Sequence, residues 1–199
     1  MNAIAQLSRY WKANAEESRR QHEENKCWTR QMMRAQRRGR SVLPYFLGLS
    51  PEDFHWITDD RRLRFHDELF RRRSDEAIQV SDVRQQLLDL REDEWNELVE
   101  LLSRHRCGLD DSEFLLAKIV AAGCMGGSHL WRDLGLSSRD QLSSLLQVNF
   151  PRLANANTQN MKWKKYFYKQ LCEQGGGYVC RAPSCDTCAA YRDCFGPEE

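Results

Sequence analysis

Four of the chain's eight cysteines, Cys180, Cys185, Cys188 and Cys194, fall within fifteen residues near its end, spaced C-x4-C-x2-C-x5-C. Thiols packed this densely are oxidation-prone unless something binds them, and a metal or cluster lowers their pKa and neutralises their charge. Pro183 and Ser184 supply a turn that lets Cys180 curl back toward the Cys185/Cys188 pair. Structural zinc ordinarily uses two such knuckles, or one knuckle plus two histidines. Here there is one knuckle, and no histidine follows Cys180. The run C-x4-C-x2-C also opens the plant-type iron–sulfur pattern, although the fourth cysteine of that pattern lies further off. The spacing therefore predicts a metal-binding loop, with iron–sulfur favoured over zinc. A pair of disulfides is the alternative and needs an oxidising compartment.

Two further stretches could carry chemistry. In Asn160-Met-Lys-Trp-Lys-Lys-Tyr-Phe-Tyr-Lys-Gln-Leu-Cys172 a helical period puts Trp163, Tyr166, Phe167 and Leu171 on one face. Lys162, Lys165 and Lys169 gather opposite, with Cys172 at their edge, where neighbouring ammonium groups favour a thiolate and attract an oxyanion. In Cys124-Met-Gly-Gly-Ser-His129-Leu-Trp-Arg-Asp-Leu-Gly-Leu136 the glycine pair frees the backbone, and Ser128 is expected to cap a short helix ending at Gly135. His129 would project near that end as a ligand, a hydrogen-bond donor or a packed side chain, and Cys124 is a further candidate metal contact. Cys27 and Cys107 lie in helical patterns far from other ligands, so both are expected to be small buried hydrophobes. No phosphate-binding glycine loop, nucleophile elbow or distinctive acidic pair occurs, which argues against an ordinary hydrolase.

The elements that must position these groups read as helices. The chain has 199 residues, 30% charged and 41% hydrophobic, with a mean hydropathy of -0.73. Those values fit one soluble domain plus a small appendage. The longest uncharged run, Ile119 to Trp131, is thirteen residues and broken by glycines, too short to span a bilayer. The first residues lack a signal peptide's apolar core, so a cytoplasmic, reducing setting is expected, and it weakens the disulfide reading. Net charge is +1 but uneven: residues 1–75 carry 16 basic and 11 acidic side chains, and residues 76–160 carry 8 and 13.

Residues 1–40 read as a polar N-terminal helical extension, with Ile4, Leu7, Trp11 and Ala15 on one face. Trp28 and Met32 resume the stripe. Arg34, Arg37, Arg38 and Arg40 then end it as a solvated face or a docking surface for an acidic partner. Residues 41–172 read as the helical domain. Leu43 to Leu49 is a breaker-rich connection, and Ser50-Pro51-Glu52-Asp53 is a helix start. The arginines at 61, 62, 64, 71, 72 and 73 are expected on exposed surface. Further on, Ser81 is expected to cap a helix carrying Val83, Leu87, Leu88 and Leu90. Another helix holds Trp95 to Leu102, with Arg104, His105 and Arg106 in its last turn. Asp110 or Asp111 should cap a third helix that turns Phe114, Leu115, Ile119 and Val120 inward, and Ser137-x-x-Asp140 resembles a capping box ahead of Leu142, Leu145 and Leu146. No alternating strand pattern occurs. The class is all-α, a multi-helix bundle with an irregular cysteine-rich metal-binding loop over residues 173–199.

From about Gly123 onward the chain resembles the NifQ family, molybdenum-trafficking proteins of nitrogen fixation. The similar segments are His129-Leu-Trp-Arg-Asp-Leu-Gly-Leu136, Asn149-Phe-Pro-Arg-Leu153, Asn160 to Cys172, and Cys180 to Cys188 through Cys194-Phe-Gly-Pro-Glu, in family order. Leu47-Gly-Leu-Ser-Pro51 is a weaker echo, and the first forty residues match nothing. The resemblance implies a carrier of an iron–sulfur cluster containing molybdenum, a Mo-Fe-S cluster. Such a carrier donates molybdenum for assembly of the nitrogenase iron–molybdenum cofactor. It also implies Cys180, Cys185, Cys188 and Cys194 as cluster ligands, and the scaffold NifEN and the iron protein NifH as partners. Molybdate or a sulfur-ligated molybdenum source would supply the metal, with Cys172, Cys124 or His129 available to complete its shell.

Two other classes compete. Helical DNA-repair glycosylases hold a structural iron–sulfur cluster on a similar run of cysteines, and Lys-Trp-Lys-Lys could contact phosphates. The acidic middle of the chain and the lack of a helix–turn–helix pattern weigh against nucleic acid. A zinc-stabilised interaction domain would instead be colourless and air-tolerant.

Overall fold

A computed structural model describes residues 3–58, 75–174, 191–196 and 198, with side chains from residue 11 and, after the gap, from residue 82. All regular elements among the described residues are helices: α1 Ala3–Arg37, α2 Pro51–Thr58, α3 Asp75–Asp89, α4 Glu92–Arg104, α5 Ser112–Cys124, α6 Leu130–Leu134, α7 Arg139–Asn149, α8 Pro151–Ala156, α9 Trp163–Gln174 and α10 Tyr191–Phe195. None of them is long and apolar enough to cross a membrane.

The bundle is built around α5. Its sequence Leu-Leu-Ala-Lys-Ile-Val-Ala-Ala-Gly-Cys is apolar almost all round, and Leu116, Ala117, Ile119, Val120 and Ala121 are fully buried. A helix with no polar face must be enclosed, and α4, α6, α1 and α2 pack around it with amphipathic faces of their own. From α4 come Leu98, Leu101 and Leu102, from α7 Leu142, Leu145 and Leu146, and from α9 Trp163, Tyr166 and Phe167. The expected aromatic face of α9 thus points inward, with Leu171 half-buried against the core.

The second half of α1 is part of this core. Met32 is fully buried, and Asn25 donates to Ser112 Oγ at 2.8 Å and to Asn149 Oδ1 at 2.7 Å. Gln21 donates to Glu113 at 3.1 Å, and Glu113 also accepts the backbone N–H groups of Gly108, Leu109 and Asp110. The helix is polar because it docks partly through buried amides, each of which has to find a partner. Its stripe ends outside: Trp11 is exposed, and the side chains of Ile4 and Leu7 lie outside the described residues.

Several local expectations shift. Ser50 caps α2 as read, accepting from Asp53 N at 3.1 Å. Ser81 is no cap, because α3 already starts at Asp75; Val83, Leu87 and Leu90 are exposed, and only Leu88 of that set is buried. The helix carrying Trp95 stops at Arg104, with His105 as its cap. Phe114 lies outside, beneath the cations of Arg106 and Lys118, and the capping box is displaced by one residue, with Ser138 accepting from Gln141 N. Arginines 61, 62, 64, 71, 72 and 73 lie outside the described residues.

Candidate functional site

Three segments far apart in sequence meet at one cleft of about 420 Å³. They are the loop Gly126–His129 between α5 and α6, the start of α9 at Lys162–Lys165, and the tail at Asp193 and Glu198. One of its lining residues, Lys164, belongs to an ion pair. Asp133, 3% exposed, is held by Lys164, whose ammonium also donates to the Gly126 carbonyl at 2.7 Å. The same carboxylate accepts Ser128 N–H at 3.0 Å, so the loop wraps around Asp133. A Cβ on Gly126 would lie 2.5 Å from that carboxylate, which explains a glycine at this point. Ser128 therefore serves Asp133 rather than capping α6, whose N-cap is His129.

A second polar group braces the loop from α4. Arg91 donates to the Met125 carbonyl at 3.0 Å and grips Glu94 with both edges of its guanidinium, at 2.6 and 2.7 Å. Tyr168 on α9 donates to the same carboxylate. Partial burial would raise the Glu94 pKa, but the hydrogen bonds from Arg91 and Tyr168 outweigh it and hold the group below the usual range. Burial, followed by the bond to Glu94, pushes the Tyr168 hydroxyl well up, so it remains a donor.

The tail is fastened to this frame at two points. Lys162 N–H donates to the Cys194 carbonyl at 2.8 Å, while its ammonium donates to the Arg192 carbonyl at 3.2 Å. Glu198, with a side chain 6% exposed, sits 3.1 Å from Arg139 Nη1 and 3.7 Å from His129 Nδ1. Arg139 is itself aimed by the carbonyls of Asn160 and Met161, at 2.9 and 3.0 Å.

The cleft brings together His129, Lys162, Lys165 and the Cys194 segment. It does not include Lys169, which is exposed and lies 3.6 Å from Glu173, nor Cys172, half-buried further along α9. Cys124 lies in the core, where burial pushes its thiol up to about 12. Cys27 and Cys107 are exposed, contrary to expectation, because each falls on the outer edge of its segment. Cys180, Cys185 and Cys188 lie outside the described residues, and among those described no group of three or more His, Cys, Asp or Glu side chains could hold a metal ion. Four clustered thiolates fit an iron–sulfur unit chemically, and the described end of that donor set is anchored through its main chain.

Asp133, Lys164, Arg139, Glu198 and the Arg91–Glu94–Tyr168 group were not singled out by sequence reasoning. Each acts through a partner at least thirty residues away, except for the Arg91–Glu94 step. The pairing of a Gly-Gly turn with an acid a few residues on was the one local signal.

Comparison with known proteins finds the family over more of the chain than the motifs from Gly123 onward carried, starting within the first forty residues, where no match was expected. The family model NifQ matches residues 28–196. Protein NifQ of Azotobacter vinelandii is 48% identical over 174 residues, covering 87% of this chain and 89% of its own. Protein NifQ of Klebsiella pneumoniae is 35% identical over 169 residues, 84% of this chain and 96% of its own. A NifQ homolog of Sinorhizobium fredii (strain NBRC 101917 / NGR234) is 52% identical over 99 residues, half of this chain and 43% of its own. No solved structure matches. The chain belongs to the NifQ family of nitrogen-fixation proteins.

Proposed function

We propose that this protein is a molybdenum carrier that supplies the metal for assembly of the nitrogenase iron–molybdenum cofactor, and is not a turnover enzyme. Cys180, Cys185, Cys188 and Cys194 hold the cargo as a Mo-Fe-S cluster. The observation that carries the reading is the anchorage of the Cys194 segment on the basic wall of the cleft, through Lys162 N–H to the Cys194 carbonyl. When bound, an iron–sulfur unit supplies bridging sulfide, a soft ligand that displaces oxygen from molybdenum.

The chain's own residues do the rest. Lys162, Lys165 and Arg132 give the cleft a positive wall that draws in an oxyanion such as molybdate. Glu198, held by Arg139 beside His129, ties the segment after Cys194 to the cleft. The four thiols fall within fifteen residues of sequence, so the carrier's cargo site is a single segment of the chain. Its recipients on this reading are NifEN and NifH.

Replacing Cys188 by serine removes one thiolate of the knuckle and changes the side chain by a single atom. Anaerobically prepared Cys188→Ser protein should lose its iron, sulfide and molybdenum and its ability to donate molybdenum, while its helical circular dichroism stays unchanged. Full metal retention by the variant would overturn the ligand assignment.

A further inference from the structure

A larger groove of about 690 Å³, sharing Arg132 with the cleft, lies between the end of α1 and α6. Arg34, Arg38, Arg40 and Arg132 line it, together with Cys27 and Trp131, and among the described residues no acidic one does. All four arginines are exposed, and among the described residues none has a carboxylate within ion-pair distance. Their neighbours are tied inward instead. Arg30 donates to the Thr58 carbonyl at 2.9 Å, and Arg37 donates to the Tyr45 carbonyl at 2.8 Å and stacks on the Tyr45 ring. Concentrating four unneutralised guanidinium groups on one concave surface opposes folding unless something of opposite charge uses them.

We propose that this groove docks an acidic, extended segment of a partner protein. Guanidinium forks match carboxylates two by two, and Trp131, Ala35 and Leu136 give the groove apolar surface for the aliphatic parts of Asp and Glu side chains. Nucleic acid fits less well. A phosphate backbone needs a long basic track, whereas this groove is confined between two helices and the following segment, residues 76–160, carries 13 acidic against 8 basic side chains. Arg132 lines both the groove and the cleft, so a segment seated here holds its protein beside the cysteine tail. The inference rests on the carrier reading for the purpose of docking, and on the arginines alone for its chemistry.

The test uses the full chain without metal and a fluorescein-labelled poly-glutamate peptide at physiological ionic strength. Binding should weaken at least about tenfold in Arg34→Ala/Arg38→Ala/Arg40→Ala and less than about twofold in the control Arg19→Ala/Arg20→Ala. On the unmodified chain the peptide should slow alkylation of Cys27, which lines the groove, and leave Cys107 unaffected. That footprint needs no variant to fold. Equal binding by the triple variant, an unprotected Cys27, or protection of Cys27 by a DNA duplex at lower concentration than by the peptide would each overturn the proposal. So would loss of iron and molybdenum from the triple variant, which would make the groove part of the cargo site. A chain found to carry no molybdenum sinks the carrier reading and leaves the peptide result standing.

Discussion

Lys164→Ala should be the most damaging single change to the cleft, destabilising the protein by about 3 kcal/mol or more in chemical denaturation. Asp133 is 3% exposed and Lys164 16%, so removing the ammonium strands a carboxylate that water barely reaches. Ser128 N–H still reaches that carboxylate, which keeps the loss toward the lower end of the range for a broken buried pair. A loss of this size lowers Tm by roughly 6–12 °C in a domain of this length. The double variant Lys164→Met/Asp133→Asn removes both charges and should recover more than half of the loss. A single variant within about 0.5 kcal/mol of the parent, the range of an ordinary surface change, would show that the pair does not support the loop.

The second large effect is expected at Gly135, where two requirements coincide. Its φ of +78° lies in the left-handed region, and a Cβ there would come within 2.2 Å of Ala35 Cβ on α1. Gly135→Ala should therefore cost about 1–2 kcal/mol in backbone strain. Overpacking adds about 1–3 kcal/mol, because α1 and α6 must separate. The double variant Gly135→Ala/Ala35→Gly divides the two, relieving the clash and leaving the strain. Denaturation midpoints of the three proteins check this. If the double variant is no better than the single, the contact between α1 and the turn after α6 does not limit stability.

The helical class was legible because periodic apolar spacing is a local property: α5 and the aromatic face of α9 sit where their patterns place them. The faces of α3 were not. Val83, Leu87 and Leu90 have the right spacing for a buried stripe, but α3 touches the bundle chiefly beside α4 and buries only Leu88 of the set. Cys27 shows the same limit, since a lone thiol's side of a helix depends on what the helix packs against. At the site, the three segments that meet in the cleft were each picked out by unusual composition, and their convergence was not. The residues that bring them together, Asp133 with Lys164 and Glu198 with Arg139, are single charges in a chain that is 30% charged. Nothing marks them until the fold pairs them.

Metal and sulfide analysis of the oxygen-free protein, before and after supply of iron, sulfide and molybdate, tests the central claim most directly. The account predicts iron and acid-labile sulfide together with bound molybdenum, and a visible sulfur-to-iron absorption band that bleaches in air. Protein that holds zinc, or that stays empty of iron and molybdenum after reconstitution, would contradict it.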